Sequence, residues 1–198
     1  MSLYKKHREQ VKKDIVQLSL SLFREYGYEH VTIEQITNQL EIAKGTFYNF
    51  FKSKREILMF WAEEQFISVD IRPALDEGKS CEDNLSTLLS IIICTIAKEY
   101  NLFKSFLKEL DYMPKEDNSS LEAFDFAKLL SLVIVKSKDG SHITSNHYEL
   151  KLQVLNSAIF YELKTGLLSE VESSEFTKRL IQVMKICLYG MIEQEDYK

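Results

Sequence analysis

The sequence predicts an all-α protein, because it contains few turn-forming residues and its apolar side chains follow a helical period. Its 198 residues include only 6 glycines and 2 prolines, far below the average combined share of about 12 %. Apolar residues recur instead every three or four positions, as on amphipathic helices. At roughly 100–200 residues per domain, the length allows one domain or two small ones.

Four helices are predicted in the N-terminal third of the chain. The first carries an apolar face from Val11 to Tyr26 and ends at Gly27, and the second begins at Thr32, which lies three residues before Gln35, the spacing of a capping box. After a turn at residues 41–43, a short third helix is predicted over 44–50. Ser53 and Glu56 repeat the capping-box spacing, and the fourth helix runs to about residue 68.

The remainder of the chain is predicted to be a further helical series. A helix begins near Ser80 and ends or bends near residue 101, a short one covers 102–110, and another opens at Ser119 and ends near residue 140. After a loop at 141–145, two long helices cover 146–165, ended by Gly166, and 173–193. We predict two domains, at residues 1–52 and 53–198.

The net charge of −5 argues against a nucleic-acid partner when it is taken over the whole chain. Residues 1–60, however, contain 10 basic and 7 acidic side chains, whereas residues 61–198 contain 15 and 23. The two regions therefore carry net charges of +3 and −8, and only the N-terminal region has the sign that DNA attracts.

Other classes of protein find little support in the sequence. Its longest uncharged stretch, residues 84–97, has 14 residues, short of the ~18 that suggest a membrane span. We find no P-loop, nucleophile-elbow, zincin or di-iron motif, so no catalytic residue, cofactor or metal site is predicted. Three cysteines without a CxxC pair indicate reduced thiols and a cytoplasmic protein.

Three short helices with a tight turn before the last have the spacing of a helix-turn-helix, whose final helix lies in the DNA major groove. The residues also resemble the TetR-type transcriptional regulators. The resemblance covers the stretch from Phe23-x-x-Tyr26-Gly27-Tyr28, through Val31-Thr32 and Lys44-Gly45-Thr46-Phe47-Tyr48, to Phe51-Lys52-Ser53-Lys54-x-x-Ile57-Leu58.

The resemblance implies a role for each matching residue of this stretch. Bases or backbone would be contacted by Lys44 and Thr46, and phosphates by Thr32, Tyr48 and Lys54. Gly45 would permit close approach, and Phe47 and Phe51 would form an internal wedge. Asn49 replaces a common aromatic and could bond adenine. Glu34 would repel phosphate and is expected to point away.

For the C-terminal region, the resemblance implies an effector-binding and dimerisation domain. The aromatic residues suit an apolar or aromatic effector, and the candidate effector-binding residues are Trp61, Phe66, Phe103, Phe106, Tyr112, Phe124 and Tyr161. The two last helices supply a candidate dimer interface of Leu152, Leu155, Ile159 and Leu163 with Leu180, Val183, Ile186, Cys187 and Met191.

The sequence therefore predicts a homodimeric regulator, a repressor that a small effector releases from a palindromic DNA operator. Two alternatives stay open. One is a DNA-binding activator or architectural factor that needs no ligand, and the other is a helical adaptor between proteins whose helix-turn-helix is purely structural.

Overall fold

The computed structural model describes residues 3–110, 126–143, 147–169 and 173–191. Over these ranges the chain is helical and contains no strand, which confirms the all-α prediction. The described α-helices are α1 (Leu3–Tyr26), α2 (Ile33–Gln39), α3 (Lys44–Tyr48), α4 (Lys54–Ile67), α5 (Cys81–Lys98), α6 (Tyr100–Leu110), α7 (Phe126–Lys136), α8 (Gly140–Ile143), α9 (Tyr148–Leu168) and α10 (Ser173–Met191). Single 3-10 turns stand at Tyr28–His30 and Arg72–Ala74.

The chain forms two compact units. The first takes in the described residues of Met1–Ile67 and Glu99–Ser120, and the second those of Ser68–Lys98 and Leu121–Lys198. Helix α6 belongs to the first unit because it packs on α1 and α4. The division between residues 52 and 53 remains a prediction about the folding domains.

Local sequence signals define the ends of the first two helices. Gly27 ends α1 with a φ of 86°, a backbone conformation that glycine adopts at little cost. At the start of α2, the Thr32 hydroxyl oxygen accepts the Gln35 N–H at 3.2 Å, and the Gln35 side chain accepts the Thr32 N–H at 2.8 Å. The predicted capping box is therefore confirmed.

The core of the first unit is built from apolar faces of its helices. Ile15 of α1, Ile36 of α2 and Ile57 of α4 are fully buried. One turn further along α4, the Trp61 ring packs on Phe103 of α6 with ring centroids 4.8 Å apart. Burial of such side chains contributes about 1.5–3 kcal/mol each, so α6 is part of the structure that supports the helix-turn-helix.

The second unit joins α5 to the C-terminal end of α7 through a polar cluster. The Ser80 hydroxyl oxygen accepts the Asp83 N–H at 3.1 Å, which caps α5 as predicted. The buried Asn84 amide donates to the Ser137 hydroxyl at 2.9 Å, and Asp139 accepts the Cys81 N–H at 2.6 Å. Burial is the main cause that raises the pKa of the Cys81 thiol to about 12, which keeps this cysteine protonated at neutral pH.

Three predicted element boundaries are corrected by the structure. Helix α3 ends at Tyr48 instead of residue 50, and the expected loop after Gly140 begins as the short helix α8. Gly166 lies inside α9, which continues to Leu168. A Cβ added at Gly166 would overlap the ring of Phe176, so this glycine permits close packing of α9 on α10 and does not end the helix.

Replacing Gly166 by alanine is expected to lower the free energy of unfolding by about 1–2 kcal/mol. Overpacking costs about 1–3 kcal/mol, and the better helix propensity of alanine offsets up to about 1 kcal/mol of it. Urea denaturation followed by circular dichroism measures the change. The double variant with Phe176→Leu removes the overlapping ring, so the two substitutions should be less than additive; additive effects would contradict the packing explanation.

Within the described residues, no single helix is long and apolar enough to cross a membrane. The broken pair α5 and α6 meets that requirement by length and composition only.

Candidate nucleic-acid interface

The turn between α2 and α3 has the hydrogen bonds of a Schellman motif. The Ile42 N–H donates to the Thr37 carbonyl at 3.0 Å, and the Glu41 N–H donates to the Asn38 carbonyl at 3.2 Å. Glu41 adopts a φ of 54°, a conformation in which a non-glycine residue is strained. The turn therefore holds α3 in a defined direction at a cost in backbone strain.

Helix α3 has one buried face and one exposed face. Phe47 is fully buried, and its ring lies edge-on to Tyr48 with centroids 5.6 Å apart. The Tyr48 side chain remains 51 % exposed, and Lys44, Gly45 and Asn49 are exposed as well. Together with Phe51, which is also buried, Phe47 provides the internal support on which this polar surface rests.

Lys44 is already engaged with an acidic neighbour. Its ammonium forms an ion pair with the carboxylate of Glu34 on α2, and the hydrogen bond from Lys44 lowers the pKa of Glu34. Both side chains are more than half exposed, so the pair contributes about 0–1 kcal/mol. Lys44 can exchange this partner for DNA at small cost, and Glu34 does not turn away from the predicted interface.

Gly45 and Thr32 are both exposed. A Cβ at Gly45 would meet no atom of the chain within 4 Å, so nothing within the protein requires glycine at this position. The Thr32 hydroxyl caps α2, and its exposure leaves it able to accept a further contact. The DNA roles of both residues remain predictions.

A cleft of about 410 Å³ separates the first turns of α1 from α3. Its walls include Thr46 and Asn49 on one side and residues of α1 on the other. The Arg8 guanidinium lies 5.6 Å from the centroid of the Phe50 ring, a cation–π contact. The first turns of α1 therefore place a cation beside Phe50, which follows α3.

Lys54 has a different environment from the exposed lysines. Its ammonium donates to the carbonyls of Tyr28 at 2.7 Å, Val31 at 3.1 Å and Glu29 at 3.3 Å, and it is half-buried. Desolvation is the main cause that lowers the pKa of Lys54. The contact of Lys54 with phosphate remains a prediction, and the ammonium already has three acceptors within the chain.

The structure brings together only part of the predicted effector-binding set. Trp61, Phe103 and Phe106 are buried in the first unit, where Phe66 also contacts Phe103 with centroids 5.6 Å apart. Tyr161 is 65 % exposed and belongs to the second unit. Tyr112 and Phe124 lie outside the described residues.

The predicted dimer interface stays a prediction, and four of its residues are buried within the chain: Leu155, Ile159, Leu163 and Leu180. Leu152, Val183 and Cys187 are half-buried, and the side chain of Met191 lies outside the description. The apolar residues that remain exposed on α9 and α10 are Leu150, Val154, Tyr161, Ile186 and Tyr189. Of these, the predicted interface contained only Ile186. The helical period of the sequence also places Leu150, Val154 and Tyr161 on one face of α9, and this signal could have identified them.

Among the described residues, no group of three or more histidine, cysteine, aspartate or glutamate side chains could hold a metal ion. The segment from α2 to α3 has the features of a helix-turn-helix: a capped first helix, a tight turn, and a second helix with a buried aromatic and an exposed polar face. They define a helix-turn-helix DNA-binding protein.

Comparison with known proteins relates this helix-turn-helix to bacterial transcriptional regulators. Residues 15–59 match the family of bacterial regulatory proteins called the tetR family. The chain is 20 % identical to the HTH-type transcriptional repressor KstR of Rhodococcus jostii over 177 residues, 89 % of this chain and 82 % of that protein. The structure of Thermus thermophilus FadR, a TetR family repressor in complex with lauroyl-CoA, superposes with a TM-score of 0.77 at 18 % identity, covering 94 % of this chain and 98 % of that one. FadR of Bacillus halodurans, a fatty acid degradation regulator, gives a TM-score of 0.60 at 18 % identity, over 87 % and 96 % of the two chains.

Residues 15–59 therefore contain a helix-turn-helix of the tetR family of bacterial regulatory proteins, and over most of its length the chain is similar to a transcriptional repressor.

Proposed function

We propose that this regulator represses transcription from a palindromic DNA operator, which it binds as a homodimer in the cytoplasm, and that a small apolar effector releases it. The DNA-binding part of the proposal rests on one observation, which is that α3 has one buried face and one exposed polar face. Phe47 is buried beneath an exposed surface that contains Lys44, Tyr48 and Asn49. The proposed role requires no catalysis.

The exposed residues of α3 suit the two kinds of contact that DNA recognition needs. The Tyr48 hydroxyl and the Lys44 ammonium can bond phosphate or base edges, and the Asn49 amide can form the paired bonds that adenine offers in the major groove. Gly45 leaves room for the DNA backbone, since no part of the chain fills the space beside it. The net charge of +3 over residues 1–60 adds an attraction that salt weakens.

Selection of bound duplexes from a random pool tests the proposal directly, because it yields the operator and its symmetry together. A palindrome with half-sites about one helical turn apart, roughly 34–36 Å, is expected. The logarithm of the affinity should fall linearly with the logarithm of the salt concentration. A flat salt response would remove the DNA-binding function and would favour the adaptor between proteins.

Substitutions on α3 should separate the two kinds of contact. Tyr48→Phe is expected to weaken binding to all duplexes about equally, since it removes one hydroxyl bond, typically worth about 0.5–1.5 kcal/mol. Asn49→Ala should cost about 1–3 kcal/mol on the selected operator and relax the preference at one base pair of each half-site. Fluorescence anisotropy with the operator and single-base variants measures both effects. Gln17→Ala removes an exposed amide from α1 and is the matched control. If Asn49→Ala left the sequence preference unchanged, Asn49 would not read a base.

The exposed apolar residues of α9 and α10 support the proposed dimer. These helices run antiparallel, because Gly166 packs by Phe176 while Glu162 pairs with Arg179 at 3.0 Å. Leu150, Val154 and Tyr161 lie on one face of α9 at intervals of four and seven residues, each more than half exposed. The antiparallel register brings the exposed Ile186 of α10 to about the level of Val154. An exposed apolar face of this kind is typical of a contact site, and pairing it with its copy would form a four-helix interface.

The effector part of the proposal is supported by the fold neighbour whose structure contains lauroyl-CoA and by the aromatic cluster around Phe103. We expect an effector with a long apolar portion to lower operator affinity about 5- to 150-fold, the usual range of allosteric coupling. Lauroyl-CoA is the first probe, with coenzyme A as the matched control that lacks the acyl chain. If neither lauroyl-CoA nor other apolar probes alter operator affinity, the regulator that needs no ligand is the better description.

A further inference from the structure

The ammonium of Lys54 is surrounded by the chain itself. A lysine ammonium carries three protons and no acceptor, and the three carbonyls of Tyr28, Glu29 and Val31 lie within 2.7–3.3 Å of its nitrogen. The same nitrogen lies 4.3 Å from the centroid of the Tyr28 ring. Every proton of this group therefore has an internal acceptor, and the face of the ring adds a further attraction.

The three carbonyls belong to the segment that leads into α2. Tyr28–His30 forms a 3-10 turn after α1, and Val31 directly precedes the Thr32 cap. Backbone carbonyls need hydrogen-bond donors when they are shielded from water, and the Lys54 ammonium supplies donors to these three. Lys54 thus connects the start of α4 to the segment that determines where α2 begins.

Glu109 of α6 holds the Tyr28–His30 turn through the side chain of Tyr28. The Tyr28 hydroxyl donates to one oxygen of Glu109 at 2.8 Å, and the Arg55 guanidinium donates to the other at 2.6 Å. Tyr28 is buried, and its burial raises its pKa. Lys54 therefore binds the backbone of a residue whose side chain is fixed independently, which gives the ammonium a well-defined position.

We propose that Lys54 is a positioning residue for DNA recognition and does not neutralise a phosphate. It fixes the segment from Tyr28 to Val31, and through that segment it fixes the Thr32 cap and the start of α2. This assignment rests on the proposed DNA-binding function. It reverses the role that the sequence resemblance implies for Lys54, and it attributes the effect of Lys54 to internal hydrogen bonds.

Two substitutions separate positioning from phosphate binding. Lys54→Met keeps the aliphatic stem and removes the donors, whereas Lys54→Arg keeps the charge in a larger planar group that suits phosphate but not three converging carbonyls. Both variants are expected to weaken operator binding about tenfold or more. The slope of log affinity against log salt should stay at the wild-type value, because no phosphate contact is lost.

A phosphate contact predicts the opposite pattern. Lys54→Met would then reduce the salt slope by about 0.9 for each protomer, and Lys54→Arg would retain the affinity. Either result would overturn the proposal. Lys52→Met is the matched control, since it removes an exposed positive charge two residues away and leaves the three carbonyls bonded.

Hydrogen exchange of the DNA-free protein supplies a readout that a general loss of stability would not produce. Faster exchange confined to residues 28–36 is expected in both variants, with unchanged exchange in the buried part of α4. Uniformly faster exchange, or failure of both variants to fold, would make Lys54 a general stability residue and overturn the proposal. Failure of the wild-type protein to bind any duplex would instead remove the DNA-binding function, so the two failures are distinguishable.

Discussion

Replacing Phe47 by alanine should lower the free energy of unfolding by about 3–5 kcal/mol and abolish operator binding. Phe47 is fully buried, and its ring contacts those of Tyr48 and Phe51 with centroids 5.6 and 6.3 Å away. Truncation removes the buried ring and leaves a cavity beneath the exposed surface of α3. Because small domains are stable by only about 5–15 kcal/mol, such a loss is a large part of the total.

Urea denaturation measures the stability change, and anisotropy with the selected operator measures binding. Phe50→Ala is the matched control, because Phe50 lies close to Phe47 in the chain and is half-buried. Its truncation should cost about 1 kcal/mol, the typical value for a single substitution. Equal costs for the two alanine variants would contradict the view that Phe47 is the internal support of α3.

Introducing a charge on the exposed apolar face of α9 should dissociate the proposed dimer. Val154→Asp places a carboxylate among Leu150, Tyr161 and the apolar face of the partner helix. A buried charge without a partner costs several kcal/mol, so the dimer dissociation constant should rise at least about 100-fold. The chain itself should stay folded, because the Val154 side chain is 52 % exposed.

Analytical ultracentrifugation across a concentration series measures the dissociation constant. Gln153→Asp adds the same charge at the neighbouring exposed position, which points about 100° away around the helix, and it should leave the dimer intact. Operator affinity should fall with dimerisation, since two linked recognition helices bind more tightly than one. A dimer that tolerates Val154→Asp but not Gln153→Asp would place the interface on another face.

Much of the helix-turn-helix could be predicted from the sequence because its signals are local. The Thr32 and Gln35 pair determines where α2 begins, and Gly27 determines where α1 ends, since each acts within one turn of helix. The dimer residues were harder to predict. Both faces of α9 carry apolar side chains, and only the packing of α10 and α7 on α9 distinguishes the buried Leu155 from the exposed Val154.

The sequence by itself determined the helical class, the charge difference between the two regions and the resemblance of the helix-turn-helix to the TetR-type regulators. These properties follow from composition, period and contiguous motifs, which need no contact between distant residues. The tertiary structure alone decided the partners of Lys54, because its carbonyl acceptors lie more than twenty residues away in the chain. It also decided the role of Gly166, since the ring that requires a glycine there belongs to the next helix. Contacts of this kind depend on how helices pack, and no local pattern encodes that packing.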